Sequence, residues 1–337
     1  MAESIAVVIV NYNSTWYVLK NLESLYSQPS TILYSVTVVD NNSTRNNVDE
    51  IVTRFPSVHL LKNSDNLGFA EGNNIVLRGV TQEFALLLNP DLLISAESIE
   101  KMVIALRSNH QLAGVSVQLL SADGSLQKVA FNYPTLIGEF LNALNLEKIV
   151  LEKGRYHGFE IDGLGVVRDV HWLSGSCCLY RMKALREVDF FDGGFFLFSE
   201  DLDLGYRIHQ AGWKLWQLLD VSATHLGGKS SAGDHYKTII SRHHGRYRFL
   251  RKHYPRTKLF IFCALYEVTL IAKLIVGLSK WTFAWLSLRL AHENTDRIRL
   301  INDQISRNRA YWYVLRILLV PSSAEVKLQN AVEQVRQ

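Results

Sequence analysis

The chain of 337 residues contains only three cysteines, Cys177, Cys178 and Cys263, two of them adjacent, with no CxxC or Cys/His spacing. That usage argues against a disulfide framework or a structural zinc site and fits a reducing compartment. Prolines number six, and no internal repeat or low-complexity tract is present, which argues against solenoids and disordered linkers. The start, Met1–Val10, carries Glu3 and one short apolar run, so it lacks the basic and long apolar regions of a signal peptide. Neither sign of charge dominates: the net value is +4 and the excess is local, with Arg242, Arg246, Arg248, Arg251, Lys252, Arg256 and Lys258 close together. Such a cluster points to a local anionic surface rather than to nucleic acid. Glycine loops for phosphate are missing as well. Neither GxGxxG nor GxxxxGK[ST] follows the first apolar run, where Asn11-Tyr12-Asn13-Ser14 stands instead; a phosphate bound here would call for a bridging cation.

What is present is an alternation of strand and helix signals over about the first hundred residues, the pattern of an α/β open sheet. Apolar runs at Ile5–Val10, Val36–Val39, Val58–Leu61 and Phe84–Leu88 read as strands. Helices are expected around Val18–Tyr26, over Asn73–Arg78 and over Ile99–Leu106. Asn11 and Asn13 follow the first strand, Asp40 the second, Asn66 and Gly68 the third, and Asn89-Pro90-Asp91 the fourth. Any one of these is an ordinary turn residue. Together they fall at the carboxyl ends of the strands, where an open parallel sheet places its ligand crevice. Further on, Ser121-Ala122-Asp123-Gly124 reads as a hairpin turn and Trp172–Arg181 as a buried strand. The hydrophobic content of 48% suits one sizeable core, expected over 1–235, with a smaller helical region over 236–337.

The densest segment runs from Phe190 through Phe196, Ser199, Glu200, Asp201 and Asp203 to Arg207. Ser199 suits a helix N-cap, and the acids suit the positive end of the helix dipole. Asp201 aligns with Leu204 and Ile208 and is expected on the buried face; Asp203 pairs with Arg207 at i+4 and is expected to face water. A buried carboxylate needs a partner or a task, so Asp201 is the candidate general base, with Asp91 as metal anchor and His225 as a second metal ligand of the kind Mn²⁺ accepts more readily than Mg²⁺.

The ordered series Val8-Ile9-Val10-Asn11-Tyr12-Asn13, Asp40-Asn41-Asn42-Ser43, Asn63-x-x-Asn66-x-Gly68-Phe69-Ala70-x-Gly72-x-Asn74, Leu88-Asn89-Pro90-Asp91, Gly175-Ser176 and Glu200-Asp201-x-Asp203-Leu204-x-x-Arg207 resembles family 2 glycosyltransferases of the GT-A fold. Within that family it is similar to bacterial rhamnosyltransferases of O-antigen and cell-wall polysaccharide assembly. The resemblance covers roughly residues 4 to 255. It implies an inverting enzyme with a nucleotide-diphospho-sugar donor, dTDP-L-rhamnose or a UDP-hexose, and Mg²⁺ or Mn²⁺. It further implies that Asn11 and Asp40 contact the base and that Asn66, Gly68 and Asn73 or Asn74 line the nucleoside pocket. Asp91 would bind the ion with His225, Asp201 would be the base, and Trp172, Gly175, Ser176 and Glu200 would border the acceptor. The family's Asp-x-Asp stands here as Asn89-Pro90-Asp91, so Asn89 offers a carbonyl oxygen without charge. A nucleotide-sugar-binding protein without catalysis is the alternative from another class.

Beyond about residue 236 helical periodicity takes over. Leu259–Leu288 is strongly apolar but interrupted by Glu267, Lys273 and Lys280, so a spanning helix is not favoured. The basic cluster with Trp281, Trp285, Trp312 and Tyr313 fits helices lying in an anionic membrane interface at the cytoplasmic face, where a lipid-linked saccharide acceptor would be met. A homo-oligomeric or core-covering helix pair is the competing expectation.

Overall fold

The computed structural model describes residues 3–27, 29–135, 138, 161–162, 165–227, 235–289 and 295–318. They form two compact units: one holds the sheet up to residue 227, and the other holds the helices from residue 235 together with Pro134 and Thr135.

The first unit is built on β1 (Glu3–Asn11), β2 (Ile32–Asp40), β3 (His59–Lys62) and β4 (Phe84–Leu88), all mutually parallel in the order β3-β2-β1-β4. Ile5–Ile9 and Phe84–Leu88 are buried at every position, as unbroken apolar runs must be when helices cover both faces of a parallel sheet. The covering helices are α1 (Thr15–Tyr26), α2 (Glu50–Arg54), α3 (Gly68–Leu77) and α4 (Ala96–Ser108). In α1, Val18, Leu22 and Leu25 supply the buried stripe. In α4, the Ser95 hydroxyl caps the start by accepting from the Ser98 N–H.

The sheet then turns mixed. β11 (Cys177–Arg181) runs antiparallel between β4 and β6 (Leu112–Ser121); β12 (Lys214–His225) lies parallel to β6; and β5 (Leu92–Ile94) closes the edge antiparallel to β12. Short strands β7 (Leu126–Gln127) and β9 (Val166–Val167) add to β6 and β12, making ten strands, while β8 (Ala130–Phe131) pairs with β10 (Trp172–Leu173) separately. Helices α5 (Met182–Glu187) and α6 (Glu200–Gln210) complete the unit. The expected strand over Trp172–Arg181 is therefore two, separated by a turn at Gly175-Ser176, because Ser174 leaves β10 to bond the Val129 carbonyl while Ser176 faces Asn89. Likewise α3 starts at Gly68, not Asn73. Cys177 and Cys178 are fully buried in β11, and burial pushes the Cys178 thiol up to about 12.

The second unit consists of α7 (His235–His253), α8 (Arg256–Arg289) and α9 (Thr295–Leu318). A Cβ at Gly277 of α8 would lie 2.2 Å from the Asn308 side-chain oxygen of α9, so a larger residue there would push that side chain aside. Arg256–Thr282 has a mean hydropathy of 2.2 in its most apolar stretch and is long and apolar enough to cross a membrane by length and composition, so the charges that interrupt it do not remove that property. Phe260, Ile261, Val268, Ile271, Ile275 and Val276 are exposed.

Candidate active site

Strand direction brings the site together. The carboxyl ends of β1, β2, β3, β4 and β12 share one edge of the sheet with the amino ends of the antiparallel β5 and β11. Asn11, Asp40, Asn89, Asp91, Gly175-Ser176 and His225 stand at or beside those ends. The order β3-β2-β1-β4 reverses between β1 and β4, the switch point at which such sheets open a crevice.

On the β1–β3 side, the Asn11 amide donates to Asp40 Oδ1 at 2.8 Å, and the Ser43 hydroxyl donates to the same oxygen at 2.6 Å. The Ser43 N–H reaches Asp40 Oδ2 at 3.0 Å. Asn13, at φ 55°, accepts through Oδ1 from the N–H groups of Thr44 and Arg45 and so fixes the loop after β2. Asn41 donates to the Gly68 carbonyl and accepts from Asn63, while Asn66 Oδ1 takes the Gly68 N–H at 3.0 Å. Gly68 has φ +80°, and a Cβ there would lie 2.2 Å from the Phe196 carbonyl oxygen; the position demands glycine on both counts. Two asparagines further along α3 are held by backbone groups. Asn73 is buried and donates to the Phe69 carbonyl of its own helix. Asn74 has no exposed surface and exchanges two bonds with the Phe191 backbone, at 2.8 and 3.1 Å. Its amide ties α3 to the 190–198 loop. Ser43 and Asn41 were part of recognisable motifs yet were not singled out, because a turn serine or asparagine carries no signal of its own.

At the centre, Asn89 works through its backbone: its N–H donates to the Ser176 carbonyl at 2.8 Å, and its carbonyl accepts from Asn21. Asp91 is buried, and its Oδ1 lies 3.1 Å from His225 Nε2. The pairing of β5 with β12 sets this meeting, and the Leu226 N–H on the Asp91 carbonyl continues it. His225 Nδ1 faces Gln127 Oε1 at 2.8 Å. Residues 228–231, which follow His225, lie outside the described residues.

Opposite stands α6. Asp201 is half-buried, and its carboxylate accepts from the Gly175 N–H at 3.2 Å and from the Leu202 N–H at 2.8 Å. Asp203 is the fully buried member; it holds Arg207 Nε at 2.7 Å, and Arg207 also donates to the Val188 carbonyl. The expected exposures of the two aspartates are thus reversed. The reason is that α6 is covered on most sides, with Leu202, Leu204, Gly205 and Ile208 buried as well, so periodicity alone does not single out one inner face. Ser199 precedes the helix at φ 69°, after Phe198 at φ 70°, and makes no side-chain cap. These two left-handed residues are a strained approach to the acidic turn. Glu200 is buried, with Oε2 lacking a hydrogen-bond partner. Burial first, and then the Asp201 charge, raise its carboxyl well above the usual range. Glu200 stands next to Asp201 in the first turn of α6. Trp172 stacks on Phe131 at 4.2 Å and donates its indole N–H to the Asn132 carbonyl. A Cβ on Gly175 would press on Phe69 at 3.1 Å.

The profile of the family described as Glycosyltransferase like family 2 matches residues 2–243. An N-acetylglucosaminyl-diphospho-decaprenol L-rhamnosyltransferase of Mycobacterium tuberculosis is 27% identical over 268 residues, covering 74% of this chain and 85% of that protein. The rhamnosyltransferase WbbL of Escherichia coli is 22% identical over 228 residues, covering 65% and 82%. In fold, a mannosyltransferase from Pyrobaculum calidifontis, solved in complex with GDP-Man and Mn²⁺, superposes with a TM-score of 0.51 at 15% identity, covering 98% of this chain and 86% of the other. With a family match that spans the whole sheet and its acidic helix, the chain belongs to the family 2 glycosyltransferases and is a transferase of the GT-A fold.

Proposed function

We propose that this transferase moves L-rhamnose from dTDP-L-rhamnose, with inversion, onto a lipid-linked saccharide at the cytoplasmic face of a membrane. The observation that carries the reading is the backbone link between the two chemical ends of the site: the turn whose Gly175 N–H holds Asp201 also holds Asn89 through the Ser176 carbonyl. Asp201 is fixed by two backbone N–H groups and remains half-exposed, which suits a base that must meet an incoming hydroxyl. In the step, the acceptor oxygen forms a bond to the anomeric carbon as the bond from that carbon to the diphosphate oxygen breaks. The hydroxyl proton passes to the Asp201 carboxylate, and the nucleoside diphosphate leaves.

A divalent cation fits Asp91 and His225. Two ligands at about 2.1 Å from one ion and at right angles stand about 3 Å apart, and these side chains are 3.1 Å apart. Among the described residues no cluster of three or more metal-binding side chains exists, so diphosphate oxygens and water would fill the other positions, as Mg²⁺ sites usually require. Bound there, the ion would offset the charge that develops on the departing diphosphate.

The donor and acceptor follow the likeness to the two rhamnosyltransferases, one of whose names specifies a diphospho-decaprenol acceptor. Membrane attachment draws on the second unit, where Arg242, Arg251, Lys252, Arg256 and Lys258 are exposed and lead into the apolar surface of α8. The test is release of nucleoside diphosphate and labelled product from dTDP-L-rhamnose and, in parallel, from UDP-hexoses, with a polyprenyl-diphosphate-linked N-acetylglucosamine acceptor. Turnover of dTDP-L-rhamnose that chelator abolishes is expected. Turnover of a UDP-hexose alone would replace the donor, and full activity in excess chelator would remove the metal.

A further inference from the structure

Asn21 lies in the middle of α1 with 1% of its surface exposed, and none of the motifs above includes it. Its amide Nδ2 donates to the Asn89 carbonyl at 3.1 Å, 68 residues along the chain. A carbonyl can only accept, so the NH₂ end of the amide must face Asn89. The other end, Oδ1, is buried with no hydrogen-bond partner among the described residues. A buried acceptor left unmade costs stability, so packing alone gives no reason for asparagine here. What the side chain supplies is the bond to Asn89.

That carbonyl opens a tight turn. It also accepts from the Leu92 N–H at 3.3 Å, so Asn89-Pro90-Asp91-Leu92 closes as a β-turn with proline at the second position, which its fixed φ suits, and Asp91 at the third. The Asn89 N–H is taken by the Ser176 carbonyl, and Asn21 grips the same residue from the side of α1. We propose that Asn21 is a positioning residue for the cation site: by tying the turn to α1 it fixes where the Asp91 carboxylate stands beside His225. The proposal rests on the metal reading above.

The experiment is Mn²⁺ binding to the full chain, followed by the paramagnetic resonance signal of free Mn²⁺, with dTDP and separately with UDP present. Asn21→Ala removes the donor and the orphaned acceptor together and raises helix propensity, so its melting temperature is expected to stay near the wild-type value. Its Mn²⁺ affinity is expected to fall about 10-fold, the lower end of what outer-shell losses cost. Asn21→Thr, similar in size, carries a hydroxyl one bond too short for the Asn89 carbonyl; it is expected to lose affinity likewise and serves as the test should the Ala variant fail to fold. Ser24 is the control, since its hydroxyl ties the same helix to the Ile94 carbonyl of β5 at 3.3 Å, and Ser24→Ala is expected to bind Mn²⁺ as the wild type does. Wild-type affinity in Asn21→Ala, or in Asn21→Thr if the first does not fold, overturns the role of Asn21. An equal loss in Ser24→Ala overturns it too, by assigning the effect to the seating of α1 as a whole. If Asp91→Ala abolishes binding in either case, the metal reading stands without it. Absence of Mn²⁺ binding in the wild-type protein with either nucleotide overturns both.

Discussion

Asp201 and Asp203 are two residues apart on one helix and differ in what surrounds them. Asp201 accepts from the backbone N–H groups of Gly175 and Leu202 and is half-buried, and an amide keeps its shape and its acceptor oxygen. Asp201→Asn should therefore melt like the wild type and bind donor, yet lose about 10²–10⁴ in transfer rate; turnover near wild type would remove it as the base. Asp203 is fully buried against Arg207. Asp203→Ala leaves that guanidinium inside without its counter-charge, a loss of about 3 kcal/mol, which denaturant unfolding should register. Glu200 behaves in a third way. Its folded-state carboxyl is raised above the unfolded value, so the native state binds more protons than the unfolded state, and stability falls as pH rises from about 4.5 upward. Glu200→Gln imitates the protonated form at every pH. Its melting temperature should match the wild type near pH 4 and exceed it by a margin that widens toward pH 8; a margin that shrinks with pH would contradict the burial argument.

At the scale of elements, α3 is joined to the 190–198 loop. The Phe69 N–H bonds the Phe196 carbonyl at 2.9 Å beside Gly68, and Asn74 clasps Phe191. Gly68→Ala meets both a left-handed backbone and the Phe196 oxygen, a strain of about 1–3 kcal/mol. Thermal melting should fall, and the KM for donor should rise as the joint opens; an unchanged KM would separate the joint from donor binding. β1 and β4 were legible from sequence because strands buried on both faces read as continuous apolar runs, and the edge where Asn11, Asp40 and Asp91 stand followed from what comes after the strands. The strand containing β11 was read, but its antiparallel pairing and the edge strand β5 were not legible, since pairing direction leaves no trace in a run such as Cys177–Arg181. Gln127 was missed for a related reason: a two-residue strand has no periodicity, and its partner His225 is distant in the chain. The opposite settings of Asp201 and Asp203 escaped because a wheel drawn for one covered face does not apply to a helix enclosed on most sides.

For the whole molecule, the apolar surface of α8 and the exposed basic residues before it are separable by salt. Each cation near an anionic leaflet contributes about 1 kcal/mol, screened at high ionic strength, whereas buried apolar area is not. Binding of the full chain to anionic vesicles should fall only in part at high salt. A protein that ignores such vesicles and forms a stable dimer without detergent would assign the α8 surface to a second copy. The turn at Gly175-Ser176 carries a consequence for how such enzymes change substrate. It holds Asn89 on one side and Asp201 on the other through main-chain atoms, a carbonyl and an N–H. On the roles proposed above, the span between the leaving-group end and the base runs through the peptide units of this turn and ends on the Asp201 carboxylate. Trp172 and Phe131 beside it meet through their side chains, so on the same roles an exchange there leaves these main-chain bonds in place.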